Sequence, residues 1–285
     1  MRENAYEEYQ NDWSTVLAKA AQLVAAGERN LGRVLALLNR PAAQNANARL
    51  LRFYGHRIAG KRITGIKDDA YEPLLFERIV QRELGTAIDD DTVNIIELGS
   101  GYGKNLFGIW LNGGPFAANY LGLEYTPAGR DCGSFLAALE PAMRYGSFEF
   151  DYYKPSFPSF DRNAKSFVFT CYSIEQITRL GIEIFDALLQ IPGLYKVVHI
   201  EPVGWQKGPR LLPFPSEPML WVSTRVSAYR LRYNTNLIRT LEVLSRAGRI
   251  TLQRPLKINY LAHRPNLPGS VLTWSPRWAP APAAR

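Results

Sequence analysis

The sequence predicts an α/β protein: a mostly parallel seven-stranded sheet flanked by helices, preceded by an N-terminal helical cap. Three observations predict it. From residue 93 onward short apolar runs alternate with helical patterns, which argues parallel strands joined by crossover helices. The first of these runs passes directly into glycines at 99, 101 and 103, a tight strand-to-helix turn. Ahead of it, apolar positions recur at three- and four-residue steps, the period of a helix with one buried face.

In chain order, Trp13, Val16, Leu17, Ala20, Leu23 and Val24 give an amphipathic helix over 3–26. A second helix, Leu31–Leu38, ends before Arg40 and Pro41, and a third over 42–58 carries Leu50, Leu51, Phe53 and Tyr54. Residues 55–69 are basic and glycine-punctuated, a connector or flexible lid, and another helix follows over 70–84. Strands are expected over 93–98, 120–125, 147–151, 166–171 and 196–201, with helices over 104–111, 129–143 and 174–190 between them. The proline- and glycine-rich stretch 202–218 is too long for a plain crossover loop, and insertions of this kind often cover sites. A helix over 223–247 stops at Gly248, and strands over 249–258 and 270–275 complete the sheet. The chain thus divides into a helical cap (1–88), a sheet domain (89–278) and an Ala/Pro-rich tail (279–285).

Composition narrows the function classes. With 285 residues and 46% hydrophobic content, a sizeable core is available. The amino end is polar, and no uninterrupted apolar run approaches about 18 residues, so no membrane span and a cytoplasmic location are expected. Cys132 and Cys171 are too few for a disulfide scaffold and lack metal-ligand spacing to the histidines, so reduced thiols and no metal are expected. The net charge of +8 is uneven: residues 1–69 carry +4, residues 70–203 carry −7 and residues 204–285 carry +11. Eleven of the 13 cations in the last segment are arginine, whose planar fork grips carboxylate or phosphate, so an anionic partner is expected there.

The run from Asn94 through Glu97 and Leu98 to Gly99, Ser100, Gly101, Tyr102 and Gly103 reads as an apolar strand, an acid and a glycine turn suited to a nucleoside cofactor. It resembles motif I of the class I S-adenosylmethionine-dependent methyltransferases, acid-x-Gly-x-Gly-x-Gly, at all four defining positions. The dinucleotide fingerprint G-x-G-x-x-G would need glycine where Lys104 stands. The resemblance covers roughly residues 90–275 and implies S-adenosylmethionine as cofactor. It also implies Glu97 facing the cofactor's ammonium, Ser100 and the backbone of Gly99, Gly101 and Gly103 lining the same wall, and Asp151 meeting the adenine amino group.

Other residues follow from what such a cofactor needs. A ribose diol is best held by a carboxylate accepting two hydrogen bonds, and Glu124 stands at the end of the second strand, with Tyr125 beside it to pack on adenine. The stretch Tyr172-Ser173-Ile174-Glu175-Gln176 is similar to the small-molecule branch's apolar-Glu-His-apolar signature, with Gln176 in the histidine position; glutamine cannot act there as a base. Tyr172 and Ser173 are expected to line the sulfonium and acceptor, while Glu175 either orients them or is a favourable charge in a helix's first turn.

His199 and Glu201 share one face of the fifth strand at its carboxyl end, an ionisable pair among apolar neighbours. Two readings stay open: His199 as general base, its imidazole titrating at about 6.5, with Glu201 orienting it or binding substrate, or a buried histidine satisfied by backbone carbonyls. Arg225, Arg232, Arg239 and Arg246 recur every seven residues and would form one stripe on a continuous helix. That stripe is either a solvated face or, through Arg225 and Arg232, a grip on substrate.

The expected function is transfer of a methyl group to an oxygen or nitrogen of a small or medium, anionic acceptor such as a metabolite, sugar or glycoconjugate. The alternatives are an RNA methyltransferase using the basic C-terminal third, though no RNP-like strand or zinc module accompanies it, and a non-catalytic cofactor-binding or partner-scaffold protein.

Overall fold

The computed structural model describes residues 5–39, 56–58, 61–63, 71–207, 218–261 and 268–277. Helices α1 (Ala5–Ala25) and α2 (Leu31–Leu38) come first, α2 beginning at Asn30, whose side chain accepts the Arg33 N–H. A short antiparallel hairpin follows, β1 (His56–Ile58) with β2 (Lys61–Ile63), and then α3 (Tyr71–Ala87). The alternating segment comprises β3 (Asn94–Leu98), α4 (Lys104–Leu111), β4 (Asn119–Glu124), α5 (Pro127–Ala137), β5 (Arg144–Glu149), β6 (Ser166–Cys171), α6 (Glu183–Leu189) and β7 (Leu194–Glu201). Helices α7 (Pro218–Arg230) and α8 (Leu237–Arg246) and strands β8 (Ile250–Leu252), β9 (Lys257–Leu261) and β10 (Gly269–Pro276) complete the described chain.

The large sheet has the order β5-β4-β3-β6-β7-β10-β8, with β9 also paired to β10. Strands β3 to β7 run parallel, and β10 is antiparallel to both β7 and β8. The chain order reverses beside β3, so the carboxyl ends of β3, β4 and β6 flank the crevice where open α/β sheets bind ligands.

Alternation within the central strands builds two cores. Ile95, Phe167, Phe169, Val198 and Ile200 are buried on one face, in one cluster with residues of α1 to α5. Ile96, Leu98, Val168 and Val197 are buried on the other, with residues of α6 and α8. Ala20 of α1 and Leu31, Val34 and Leu35 of α2 belong to the first cluster, so the amino-terminal helices share a core with the sheet. Each fully buried large apolar side chain stabilises by roughly 1.5–3 kcal/mol.

Several elements differ from the expectation. Residues 56–58, expected as the end of a helix, form strand β1, and part of the expected connector 55–69 is its hairpin partner; residues 40–55 and 64–70 lie outside the described residues. The expected helix 174–190 is a single 3-10 turn (Ile174–Gln176) followed by α6. The expected strand 249–258 is divided into β8 and β9, which gives the sheet an eighth strand. The cover expected of residues 202–218 falls largely on residues 208–217, outside the described residues.

The expected helix 223–247 is broken into α7 and α8. Arg232 takes a left-handed backbone (φ 53°), and the buried Asn234 turns its side chain to accept the N–H groups of Asn236 and Leu237. Its amide donates to the Ile177 carbonyl, so a residue that would weaken a continuous helix here ties α8 to the loop after β6. The break removes the single arginine stripe: Arg225 lies on α7, Arg232 in the turn, and Arg239 and Arg246 on α8.

Candidate active site

A cavity of about 400 Å³ opens over the carboxyl ends of β3, β4 and β6, a volume within the roughly 300–1,000 Å³ of small-molecule sites. Its floor is the glycine turn. Gly99 and Gly101 hold φ of 66° and 54°, which favours glycine, and a Cβ on Gly99 would stand 2.5 Å from Ser173 Cβ. The turn at 99–103 and the loop after β6 therefore touch backbone to side chain, without room for anything larger.

Two buried carboxylates face this turn. Glu124 Oε2 accepts the Gly101 N–H at 2.8 Å, and Oε1 accepts the Thr126 N–H at 2.9 Å and hydroxyl at 2.8 Å. Three of about four acceptor positions are thus used, and one remains for a ligand hydroxyl. Glu97 is 1% exposed; Asn105 donates to its Oε1 at 2.6 Å, and its Oε2 has no protein partner. Burial drives the Glu97 carboxyl up to about 8, the Asn105 donor opposes this, and the nearby Glu124 adds to it. A cation arriving beside Glu97 would reverse the cost of ionising it.

The walls come from three further segments. After β5, Asp151 borders the cavity and its Oδ1 accepts the Tyr153 N–H at 2.8 Å. The Tyr152 hydroxyl lies 2.8 Å from Ser173 Oγ, which donates to the Leu98 carbonyl. After β6, Tyr172 takes a left-handed backbone (φ 54°) and sets its ring edge-on to Phe76 of α3 at 5.3 Å. Buried Gln176 donates to Glu175 Oε1 at 2.8 Å, and both border the cavity. The roof is α1: Trp13 covers Gly101, Tyr9 stacks on Trp13, and Tyr6 meets Tyr125 edge-on at 5.3 Å.

Of the residues singled out from sequence, Glu97, Gly99, Ser100, Gly101, Glu124, Tyr125, Asp151, Tyr172, Ser173 and Glu175 border this one cavity. Gly103 stands behind it, its φ of 80° bringing the turn against Tyr145 and Phe107. Arg225 and Arg232 are exposed and are not among the lining residues.

His199 and Glu201 do not border the cavity either. His199 is 1% exposed; its Nε2 accepts the Trp274 indole N–H at 2.9 Å, so in the neutral ring Nδ1 carries the proton and donates to Thr170 Oγ1 at 3.1 Å. Burial pushes its pKa down to about 3, both ring nitrogens are engaged, and the ring does not line the cavity, an arrangement that argues against a general base. Glu201 is completely buried under the 3-10 turn and does not orient His199: the ring's partners are Thr170 and Trp274.

Sequence reasoning missed the roof and two supports. Tyr6, Tyr9 and Trp13 lie on one helical face at steps of three and four, a legible stripe, but nothing local says which surface it meets. Asn105 and Thr126 act through hydrogen bonds to Glu97 and Glu124 that no spacing announces. Among the described residues no three His, Cys, Asp or Glu side chains converge on a metal-sized site, and no helix is long and apolar enough to cross a membrane.

No family profile and no curated protein matches the sequence. Among solved structures, geranyl diphosphate methyltransferase in complex with GPP and sinefungin is 13% identical over 87% of this chain and 99% of that one, with a TM-score of 0.52. The pyocyanin biosynthetic protein PhzM is 17% identical over 71% of this chain (TM-score 0.46), and the match spans only 57% of PhzM's own length. An O-methyltransferase from Bacillus cereus in complex with SAH is 13% identical over 93% of this chain and 99% of that one, with a TM-score of 0.44. The first of these likenesses, with the strand order above, gives the chain the Rossmann-like fold of class I S-adenosylmethionine-dependent methyltransferases.

Proposed function

We propose that this chain is an S-adenosylmethionine-dependent methyltransferase acting on an oxygen or nitrogen atom of a small or medium acceptor. One observation carries the reading: Glu97, with an unpartnered buried oxygen, and Glu124, with one acceptor position left, stand on neighbouring strand ends over a glycine turn inside one cavity. These residues fit the cofactor. Glu97 would take its ammonium, Glu124 a ribose hydroxyl, and Asp151 and Tyr125 the adenine side. When bound, the cofactor supplies an already activated methyl group for in-line displacement.

The protein's own work is then alignment, exclusion of water and removal of one proton. Tyr6, Tyr9 and Trp13 exclude water from above. Tyr172 and Phe76 shape the acceptor side, and Glu175 is the carboxylate there that accepts a proton or orients the acceptor. Arg225 and Arg232 do not border the cavity, and among its described lining residues four acids, Glu97, Glu124, Asp151 and Glu175, stand against one lysine, Lys104. The acceptor reading is therefore kept to a small or medium molecule without the anionic group. Calorimetric titration with S-adenosylhomocysteine, followed by methyl transfer to a panel of small hydroxy and amino compounds, tests it. Absence of binding heat overturns it.

A further inference from the structure

Glu201 stands apart from the cavity yet governs one wall of it. Its carboxylate accepts the backbone N–H groups of Ser173 (3.2 Å) and Ile174 (3.1 Å) at Oε1 and of Glu175 (3.2 Å) at Oε2. These three consecutive amides open the 3-10 turn, and a fully buried carboxyl group in contact with all of them fixes the direction of the backbone there. The segment so held presents Tyr172, Ser173, Glu175 and Gln176 to the cavity.

The carboxylate is itself fixed from behind. The indole of Trp274 can only donate, so it sets His199 as a donor from Nδ1 to Thr170 Oγ1, and the Thr170 hydroxyl then donates to Glu201. Each group in the row from β10 through β7 and β6 has one role open to it once Trp274 is placed. From the opposite side Asn234 grips the same segment, donating its backbone N–H to the Glu175 carbonyl at 2.9 Å and its side-chain amide to the Ile177 carbonyl at 2.8 Å.

We propose that Glu201, aligned by the Trp274, His199 and Thr170 row, is a positioning residue that holds the segment 172–177 in the shape that receives the acceptor. The proposal rests on the methyltransferase reading for its kinetic consequence, and on the hydrogen-bond geometry alone for its structural one. It gives the buried polar residues of β6 and β7 a task that proton transfer does not.

Glu201→Gln is the test. Glutamine keeps an oxygen for two of the amides but turns an NH₂ group toward the third. Hydrogen exchange read by NMR is expected to show the amides of 173–175 exchanging at least about ten-fold faster, while those of β3 stay at parental rates. S-adenosylhomocysteine affinity is expected to stay within about two-fold, and with the best acceptor of the panel kcat falls at least about ten-fold with a raised acceptor KM. Parental exchange at 173–175 would overturn the proposal, as would a loss of cofactor affinity equal to the loss of turnover. Should Glu201→Gln fail to fold, Thr170→Val, which removes the donor behind the carboxylate together with the acceptor of the His199 Nδ1–H, is read in the same way. Absence of cofactor binding by the parent would instead overturn the methyltransferase reading and leave hydrogen exchange to decide the positioning role.

Discussion

The indole of Trp13 lies so close over Gly101 that a Cβ on the glycine would stand 2.8 Å from Cζ2. The first helix and the glycine turn are therefore fitted to each other. Gly101→Ala meets both this contact and a left-handed φ of 54°, and is expected to destabilise by about 1–3 kcal/mol. Cofactor affinity should fall at least ten-fold by calorimetry, whereas Trp13→Ala should speed cofactor release in stopped-flow measurements with a smaller effect on folding.

On the proposed function, Glu97 couples cofactor binding to a proton. Its carboxyl is held up at about 8 against an ordinary value of 4.5, so the native state keeps a proton there that the unfolded chain releases. Stability therefore falls as pH rises from about 4.5 to about 8, and Glu97→Gln is expected to flatten that part of the melting profile. A bound ammonium favours the ionised form, so at pH 7 association should release a proton. Calorimetry in buffers of different ionisation heat will detect it, and the variant should lose it.

His199→Ala tests the exclusion of a histidine base. It leaves the Trp274 indole and the Thr170 hydroxyl without their shared partner and is expected to lower stability by about 2–4 kcal/mol in denaturant unfolding. The pH–rate profile of the folded variant should keep the parental shape, even where kcat is reduced. Loss of a limb between pH 6 and 7 would restore the base.

Arg225→Ala is expected to leave acceptor KM and kcat unchanged, since this exposed side chain lies against the Tyr229 ring, 5.6 Å from its centroid, and does not border the cavity. Arg232→Gly should raise stability by roughly 0.5–1 kcal/mol by relieving a left-handed non-glycine residue, visible as a higher midpoint in urea.

Strand positions and the glycine turn were legible because period-two burial and positive-φ glycines are local properties: Ile95 and Ile96 announce a strand covered on both faces, and Gly99 and Gly101 announce the bend after it. Glu124 could be read because strand ends in this architecture converge on one crevice. The helix break at Asn234 was not legible. A propensity scale sees a tolerable helix residue, whereas the structure uses its side chain across 57 residues of sequence to hold Ile177. His199 misled for the same reason: its ionisable character is local, but its partner Trp274 lies 75 residues on.

The docking of α1 also bears on how the molecule is made. Gln10 Oε1 accepts the Ala128 N–H at 3.1 Å across 118 residues of sequence, so at synthesis rates of roughly 5–20 residues per second the helix waits about 6–24 seconds on the ribosome before its partner is translated. During that wait Trp13 and its neighbours have nothing of their own to cover, and the newborn chain is more prone to association and to chaperone capture than the finished protein.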